Sequence, residues 1–353
     1  MGSILDALPR EGALFAGGTG ALRLPSGGFL LVKPGSATRL ATEPPEPSDN
    51  PIPAPDEDVP VHRPAYLDEA PLVPLPPQWD RLGEGTFQRL WARRDQPDDY
   101  VRQDPYTGGA IRVAQAARAV VAAGGEPVAL SYRLTFGDPR DPEAAYQLKQ
   151  AVRGMADAAQ MLGLPVLAGE LRTDPATGLH PSVDVFAHTA TGDMGRDRFQ
   201  LALEPSRRIV LLGRMTNDLS GSLYLEQEEG FPPPIDLIVE GRVLELAREF
   251  GGGSPLARGG LLLTLARCCA RAGVGARLSL PSAWANLAPA AVLFGEAQSR
   301  FLLSLPADAL PRLREAAAEL AVPAEPLGEA GGAELIVDGT IKLDVRELTS
   351  WTI

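Results

Sequence analysis

A chain of 353 residues suggests two domains rather than one, and with 44% hydrophobic residues it can bury real cores. A net charge of -12 and a pI near 4.9 disfavour nonspecific attraction to nucleic acid or to an anionic membrane surface, while a local basic pocket for a phosphorylated small molecule stays open. No apolar run approaches the roughly 20 residues that span a bilayer, and the N-terminus lacks the basic region and apolar core of a signal peptide, so the expectation is a cytoplasmic protein.

In chain order, residues 13–32 read as two short strands joined by Pro25-Ser26-Gly27-Gly28, a hairpin within an N-terminal segment of residues 1–40. Composition then changes. Between Pro44 and Pro77 lie 12 of the 34 prolines, mixed with Asp and Glu, so residues 41–80 read as a Pro-rich acidic linker or a surface arm. From Thr86 the pattern becomes regular: a short helix around FQRLWARR, a DPYTGG turn, and a helix AIRVAQAARAVVAAGG whose small residues imply close packing against a sheet. PVALSY follows as a buried strand. The next helix begins near Glu143 and carries Leu148, Val152, Met155, Ala159 and Leu162 at spacings of four and three, one apolar stripe. LPVLAG and VDVFAHTA add two strands and complete a first domain core of residues 81–198.

Residues 199–353 form the second domain. It opens with the strand RIVLLG and the loop MTNDLSGSLYL, then a proline-started helix PPPIDLIVEGRVLELAREF and a Gly-rich loop GGGSPLARGG entering the helix LLLTLARCCARAG. ARLSL, LFGEAQSRFLLSL, the helix ALPRLREAAAEL and the strands ELIVDG and IKLDV complete it, and the alternation of helices and strands indicates an α/β or α+β class. The histidines, His62, His180 and His188, are too scattered for a His-based metal site, and His188 falls at a strand position. Cys268 and Cys269 are adjacent in an apolar helical run, which suits neither a disulfide framework nor a tetrahedral metal site; they read as core thiols of a reducing compartment.

One loop stands out. Leu134 to Ala145, LTFGDPRDPEAA, joins a strand to a helix through a glycine and two prolines, and Asp141, Pro142 and Glu143 form a strong helix start. A stiff glycine loop running into a helix N-terminus can hold a phosphate, and it is equally an ordinary βα turn. Local physics leaves both readings open.

The stretch from DPYTGGAIRV through LTFGDPRDPEAA to LPVLAGE resembles the second synthetase half of the phosphoribosylformylglycinamidine synthase family. SGSLYLEQEEG, GGSPLARGGLLLTLARCCARAGVG and LFGEAQSRFLLSL match later landmarks of that half in the correct order, so the resemblance covers roughly residues 86 to 345. The wider superfamily, related to aminoimidazole ribonucleotide synthetase, implies a two-domain PurM-like fold. In it an N-terminal domain with a dimer-forming β-sheet and flanking helices precedes a C-terminal α/β domain. It also implies ATP or ADP with Mg²⁺ as cofactor and a homodimer, with purine-pathway synthetase or glutaminase subunits as further partners.

Asp104, Pro105, Tyr106, Gly137, Pro139, Pro142, Glu143, Gly169, Ser222, Tyr224, Gly259, Gly260, Glu296, Ser299, Arg300 and Phe301 stand where the family pattern expects them. Other positions depart. Ser131, Tyr132, Arg133 and Thr135 replace an acidic residue and asparagines, Glu170 stands where the family usually has asparagine, and the family's His-Asp-x-x-Asp-Gly-Gly becomes Pro255-Leu256-Ala257-Arg258-Gly259-Gly260. The resemblance implies nucleotide or phosphate binding at Gly137, Asp138, Gly169, Ser222, Arg258, Gly259 and Gly260, metal ligands at Glu170 and Asp218, and substrate contacts at Glu296 and Arg300. No catalytic residue is assigned. The plainer alternatives are a structural turn at Asp138, amide capping by Asn217 and Asp218, and packing of Glu296 with Arg300.

Magnesium bound with a nucleotide needs hard oxygen ligands, and the lost aspartates weaken the case for metal-bound ATP and for ATP-dependent C–N ligation. The chain carries no glutaminase nucleophile elbow and no first synthetase half. The expectation is therefore a stand-alone relative that binds ATP, ADP or a phosphorylated purine intermediate, with ligase activity in doubt. Two alternatives stand beside it: a catalytically lapsed homodimeric scaffold or regulatory subunit, and an ATP-dependent kinase or synthetase acting on another small substrate.

Overall fold

A computed structural model describes residues 13–16, 19–23, 29–32, 39–41, 61–67, 84–95, 97–189, 201, 203–225, 230–256, 258–337 and 341–350. The chain divides into two compact units. The first comprises Met1–Ala70, Asp99–Val120 and Gly125–Met194, and the second Pro71–Asp98, Val121–Gly124 and Gly195–Ile353.

At the N-terminus, β1 (Ala13–Ala16), β2 (Thr19–Arg23), β3 (Phe29–Val32) and β4 (Arg39–Ala41) form an antiparallel sheet in that order. The expected pairing across residues 13–32 is present as β2 with β3, Arg23 opposite Phe29, and it gains a strand on each side. The Pro25–Gly28 turn lies outside the described residues, as does most of the 41–80 segment. Helix α1 (Glu84–Ala92) belongs to the second unit, whereas the sequence boundaries group it with the first. Its Phe87, Leu90 and Trp91 are buried in the apolar core of that unit, and burying three large side chains outweighs proximity along the chain.

The rest of the first unit runs α2 (Tyr100–Gln103), α3 (Pro105–Ala122), β5 (Pro127–Phe136), α4 (Pro142–Met161), β6 (Val166–Thr173) and β7 (Ser182–Thr189). Its three-stranded sheet has β5 in the centre, parallel to β6 and antiparallel to β7. Asp141 caps α4 by accepting from the Glu143 N–H (2.9 Å), as its sequence announces. Leu148, Val152, Met155 and Ala159 are buried along one stripe, whereas Leu162 ends the helix as its C-cap and is half-buried.

Helix α3 begins at Pro105, earlier than expected, because the Asp104 carboxylate accepts from the backbone N–H of Tyr106 and Thr107. The DPYT residues are its first turn, not a separate one. Its small residues serve a helix contact more tightly than a sheet contact: Gly109 lies against the Ala151 carbonyl of α4, and Gly154 of α4 lies against the Tyr106 carbonyl.

In the second unit, β8 (Arg208–Leu212), α5 (Leu237–Glu249), β9 (Ser254–Pro255), α6 (Gly260–Ala272), β10 (Ala276–Leu278), α7 (Pro289–Phe294), β11 (Phe301–Leu305) and α8 (Leu310–Glu319) precede β12 (Ala324–Ala330), β13 (Glu334–Val337), β14 (Ile341–Asp344) and α9 (Val345–Ser350). Its seven strands order as β14-β13-β10-β12-β8-β11-β9, antiparallel except for β10 with β13. Helix α5 starts only at Leu237, after the prolines, because Asp236 caps it through the N–H groups of Ile238 and Val239. Among the described residues no helix is long and apolar enough to cross a membrane.

The Gly154 contact gives a test with a defined sign. Replacing a helix-interior glycine by alanine ordinarily stabilises by about 0.5–1 kcal/mol. Here a Cβ overlaps the Tyr106 carbonyl, so Gly154→Ala is expected to destabilise by about 1–3 kcal/mol in denaturant titration.

Candidate functional site

In the first unit the loop 137–141 is satisfied from within. Asp138 accepts from Arg140 through Nη2 (2.7 Å), Nε (3.0 Å) and the backbone N–H (2.9 Å), and these bonds hold its carboxyl down at about 2. Asp141 N–H donates to the Asp138 carbonyl (2.9 Å), closing the turn. Gly137 is pressed against the Gly178 carbonyl, which leaves no room for a Cβ. The turn therefore needs no ligand to hold its shape.

On β6, Gly169 lies opposite Tyr132 of β5, and the tyrosine ring occupies the space a side chain at 169 would take. Tyr132 is one of the departures from the family pattern, and it accounts for the glycine by packing. One residue along, Glu170 pairs across the strands with Arg133, Nε to Oε2 3.4 Å. Both side chains are more than half exposed, so the pair contributes little to stability. His188 of β7 is in hydrogen-bond contact with Ser131 of β5, Nε2 to Oγ 2.8 Å, and burial lowers its pKa below the ordinary 6.5.

The second unit assembles a tighter cluster around Glu296. Its side chain is 1% exposed, and Oε1 accepts from the backbone N–H of Leu223 (2.7 Å) and of Gly259 (2.7 Å). Arg258 Nη1 donates to Oε2 (3.3 Å) and to the Gly221 carbonyl (3.0 Å). Three landmark blocks, SGSLYL, ARGG and GEAQSRF, thus meet on one carboxylate. Gly259 is the N-cap of α6, so the anion-binding end of this helix already holds an anion supplied by the chain itself.

Both glycines of the ARGG block take left-handed backbone, φ +87 at Gly259 and +67 at Gly260, and a Cβ at Gly260 would meet the Gly295 carbonyl at 2.6 Å. Ser222, 2% exposed, keeps its hydroxyl inside the cluster without a hydrogen-bond partner among the described residues. Tyr224 stacks on Phe294, with centroids 5.4 Å apart.

Asp218 accepts from Ser220 N–H (2.7 Å) and Asn217 from Ala288 N–H (2.7 Å), both amide-capping roles. Arg300, 1% exposed, donates to the carbonyls of Ala297 (2.8 Å) and Gly295 (2.7 Å) and to Met215 Sδ (3.2 Å). A substrate contacting Glu296 or Arg300 would have to displace these bonds. Among the described residues no three His, Cys, Asp or Glu side chains group as a metal site.

Sequence reasoning passed over Arg267. From α6 it donates to the Arg258 carbonyl (3.1 Å) and to the Arg94 carbonyl (2.6 Å), fastening the ARGG loop to the residues after α1, and burial lowers its pKa. The available signal was a cation inside the apolar run LLLTLARCCARA. Beside it, Cys268 and Cys269 are buried and reduced, and burial pushes both thiols up.

The AIR synthase related protein family matches with its N-terminal domain over residues 90–191 and its C-terminal domain over residues 210–338, and the chain belongs to that family. Within it the chain is phosphoribosylformylglycinamidine synthase-like. It is 33% identical over 283 residues to the subunit PurL of Gluconobacter oxydans, covering 75% of this chain and 38% of that one. To PurL of Anaeromyxobacter sp. (strain Fw109-5) it is 33% identical over 270 residues, 70% of this chain and 35% of that one. The chain thus spans little more than a third of the length of these curated relatives.

Among solved structures, Thermotoga maritima PurL complexed with ATP aligns with a TM-score of 0.56 at 20% identity, covering 71% of this chain and 43% of that one. The same protein complexed with FGAR gives 0.57 at 19%, covering 71% and 44%. These likenesses establish the PurM-like fold.

Removing one partner of a buried pair costs about 3–5 kcal/mol, so Glu296→Ala is expected to lose that much in denaturant titration and Glu296→Gln less. For His188, the unfolded side chain takes up a proton near pH 6.5 and the folded one only at lower pH. Its contribution to stability is full above 6.5 and declines as pH falls from there toward the lower folded value. His188→Gln is expected to flatten the pH dependence of the unfolding midpoint below about pH 6.5.

Proposed function

We propose that this chain binds an adenine nucleotide or a phosphorylated purine intermediate and does not by itself carry out ATP-dependent C–N ligation. The observation that carries this reading is Glu296. Its carboxylate takes the Gly259 N–H and the Arg258 guanidinium, so the loop where the family pattern carries aspartates is neutralised internally. Asp138 with Arg140 and Glu170 with Arg133 repeat the motif at the other candidate positions. Carboxylates held by arginine are poor ligands for Mg²⁺, and without that charge neutralisation phosphoryl transfer loses its main support.

Support for a nucleotide comes from the neighbours, since T. maritima PurL was solved with ATP, with ADP and with AMPPCP. Gly137, Asp138 and Gly169 are the residues proposed for nucleotide or phosphate binding within the first unit, and Ser222, Arg258, Gly259 and Gly260 those proposed within the second. Any accompanying Mg²⁺ would have to displace Arg133 from Glu170 in the first unit or the Ser220 N–H from Asp218 in the second, and Glu296 and Arg300 would act on a substrate only through the loops they hold. The reading also includes a homodimer formed through first-unit strands and association with synthetase or glutaminase subunits. The structure of PurLQS from T. maritima supports the second of these.

Calorimetric titration of ATP and ADP, each with and without Mg²⁺, into the wild type and Glu170→Ala tests the proposal. Binding of at least one nucleotide to the wild type is expected, with a modest loss of any Mg²⁺ dependence in the variant. Absence of binding under every condition would sink the nucleotide reading and leave the scaffold alternative. ATP turnover with FGAR and ammonia would overturn the claim that ligation is lost.

A further inference from the structure

Within the proline-rich 41–80 region, residues 61–67 are fastened to the first unit by both backbone and side chain. His62 N–H donates to the carbonyl of Pro142, the first residue of α4 (3.2 Å). Ala65–Leu67 form one 3-10 turn, Leu67 is buried, and the Arg102 guanidinium lies 5.3 Å from the Tyr66 ring centroid. The Tyr66 hydroxyl donates to the Arg102 carbonyl (3.0 Å) and accepts from Gln147 Nε2 (2.6 Å). Gln147 is fully buried, and the same amide nitrogen also donates to the Leu179 carbonyl (3.1 Å).

Gln147 therefore joins three segments that are far apart in sequence: the 61–67 stretch, helix α4 and the turn at 174–180. That turn in turn backs the loop 137–141. The Gly178 carbonyl fills the space beside Gly137, and Asp174 N–H donates to the Phe136 carbonyl (2.9 Å). A tyrosine hydroxyl suits this junction because it donates and accepts at once, and here it meets one carbonyl and one amide N–H. Without the hydroxyl, a buried amide hydrogen loses its partner and the cost falls on the residues Gln147 links.

We propose that residues 61–67 are an intramolecular strap, with Tyr66 as its positioning residue, that holds the loop 137–141 and the turn 174–180 in place. Docked, the strap fixes the start of α4 through Pro142 and Gln147. Undocked, it frees both loops together while leaving the second unit's core intact. This inference does not depend on what, if anything, the loop binds.

Hydrogen exchange by mass spectrometry on the full chain tests it, comparing wild type with Tyr66→Phe and, from a separate anchor, Leu67→Ala. Amides of 137–147 and 174–180 are expected to exchange roughly tenfold faster in both variants, with residues 260–272 unchanged. Wild-type exchange at 137–147 and 174–180 in both variants would overturn the strap and make 61–67 a passenger on the surface. Equal acceleration of 260–272 would overturn it as well, because the effect would then be global destabilisation.

Discussion

A carboxylate moved from water into a protein interior costs several kcal/mol unless donors replace its hydration, and the second unit is organised around meeting that demand for Glu296. Two backbone amides and a guanidinium do so, and they come from two separate stretches of chain, the loop at Leu223 and the loop at Arg258 and Gly259. The consequence is mutual. Leu223 N–H and Gly259 N–H lie in loops with no ladder to satisfy them, and the carboxylate gives both an acceptor. Arg258, whose backbone carbonyl is gripped by Arg267, is positioned from two sides, so the loop entering α6 is fixed by charge and by hydrogen bonds rather than by packing alone. The same economy of internal pairing recurs in the first unit, where Arg140 and Arg133 answer Asp138 and Glu170.

How much of this was legible in the sequence depends on the distance over which each interaction acts. The start of α4 was readable because its cap, proline and acid are three consecutive residues. The starts of α3 and α5 were misjudged although Asp104 and Asp236 are equally local caps, because the flanking prolines drew the reading toward a turn in one case and a helix start in the other. The landmark blocks were legible as an ordered set, and with them the family. What brings the blocks together was not. Arg258 and Glu296 are 38 residues apart and Tyr66 and Gln147 are 81 apart, and no periodicity in a single sequence couples them.

Helix α1 illustrates the same limit from the side of packing. The chain up to Ala70 and again from Asp99 lies in the first unit, yet the buried face of Phe87, Leu90 and Trp91 belongs to the core containing α6. Amphipathic pattern says that a face must be covered and leaves open which partner covers it. The glycines of α3 and α4 carry the complementary lesson. Small residues announced a close approach, and only the three-dimensional arrangement identifies the facing carbonyls as those of Ala151 and Tyr106.

The adjacent thiols of α6 acquire a use from where they lie. Cys268 and Cys269 sit about two and a half turns along α6 from the loop that Glu296 secures, inside the same apolar core, with burial holding both in the unreactive protonated form. An alkylating reagent can reach them only when that core opens, so the rate of their modification is a clock for opening of the second unit. The chain therefore carries its own chemical reporter for the half of the molecule that the buried carboxylate holds together.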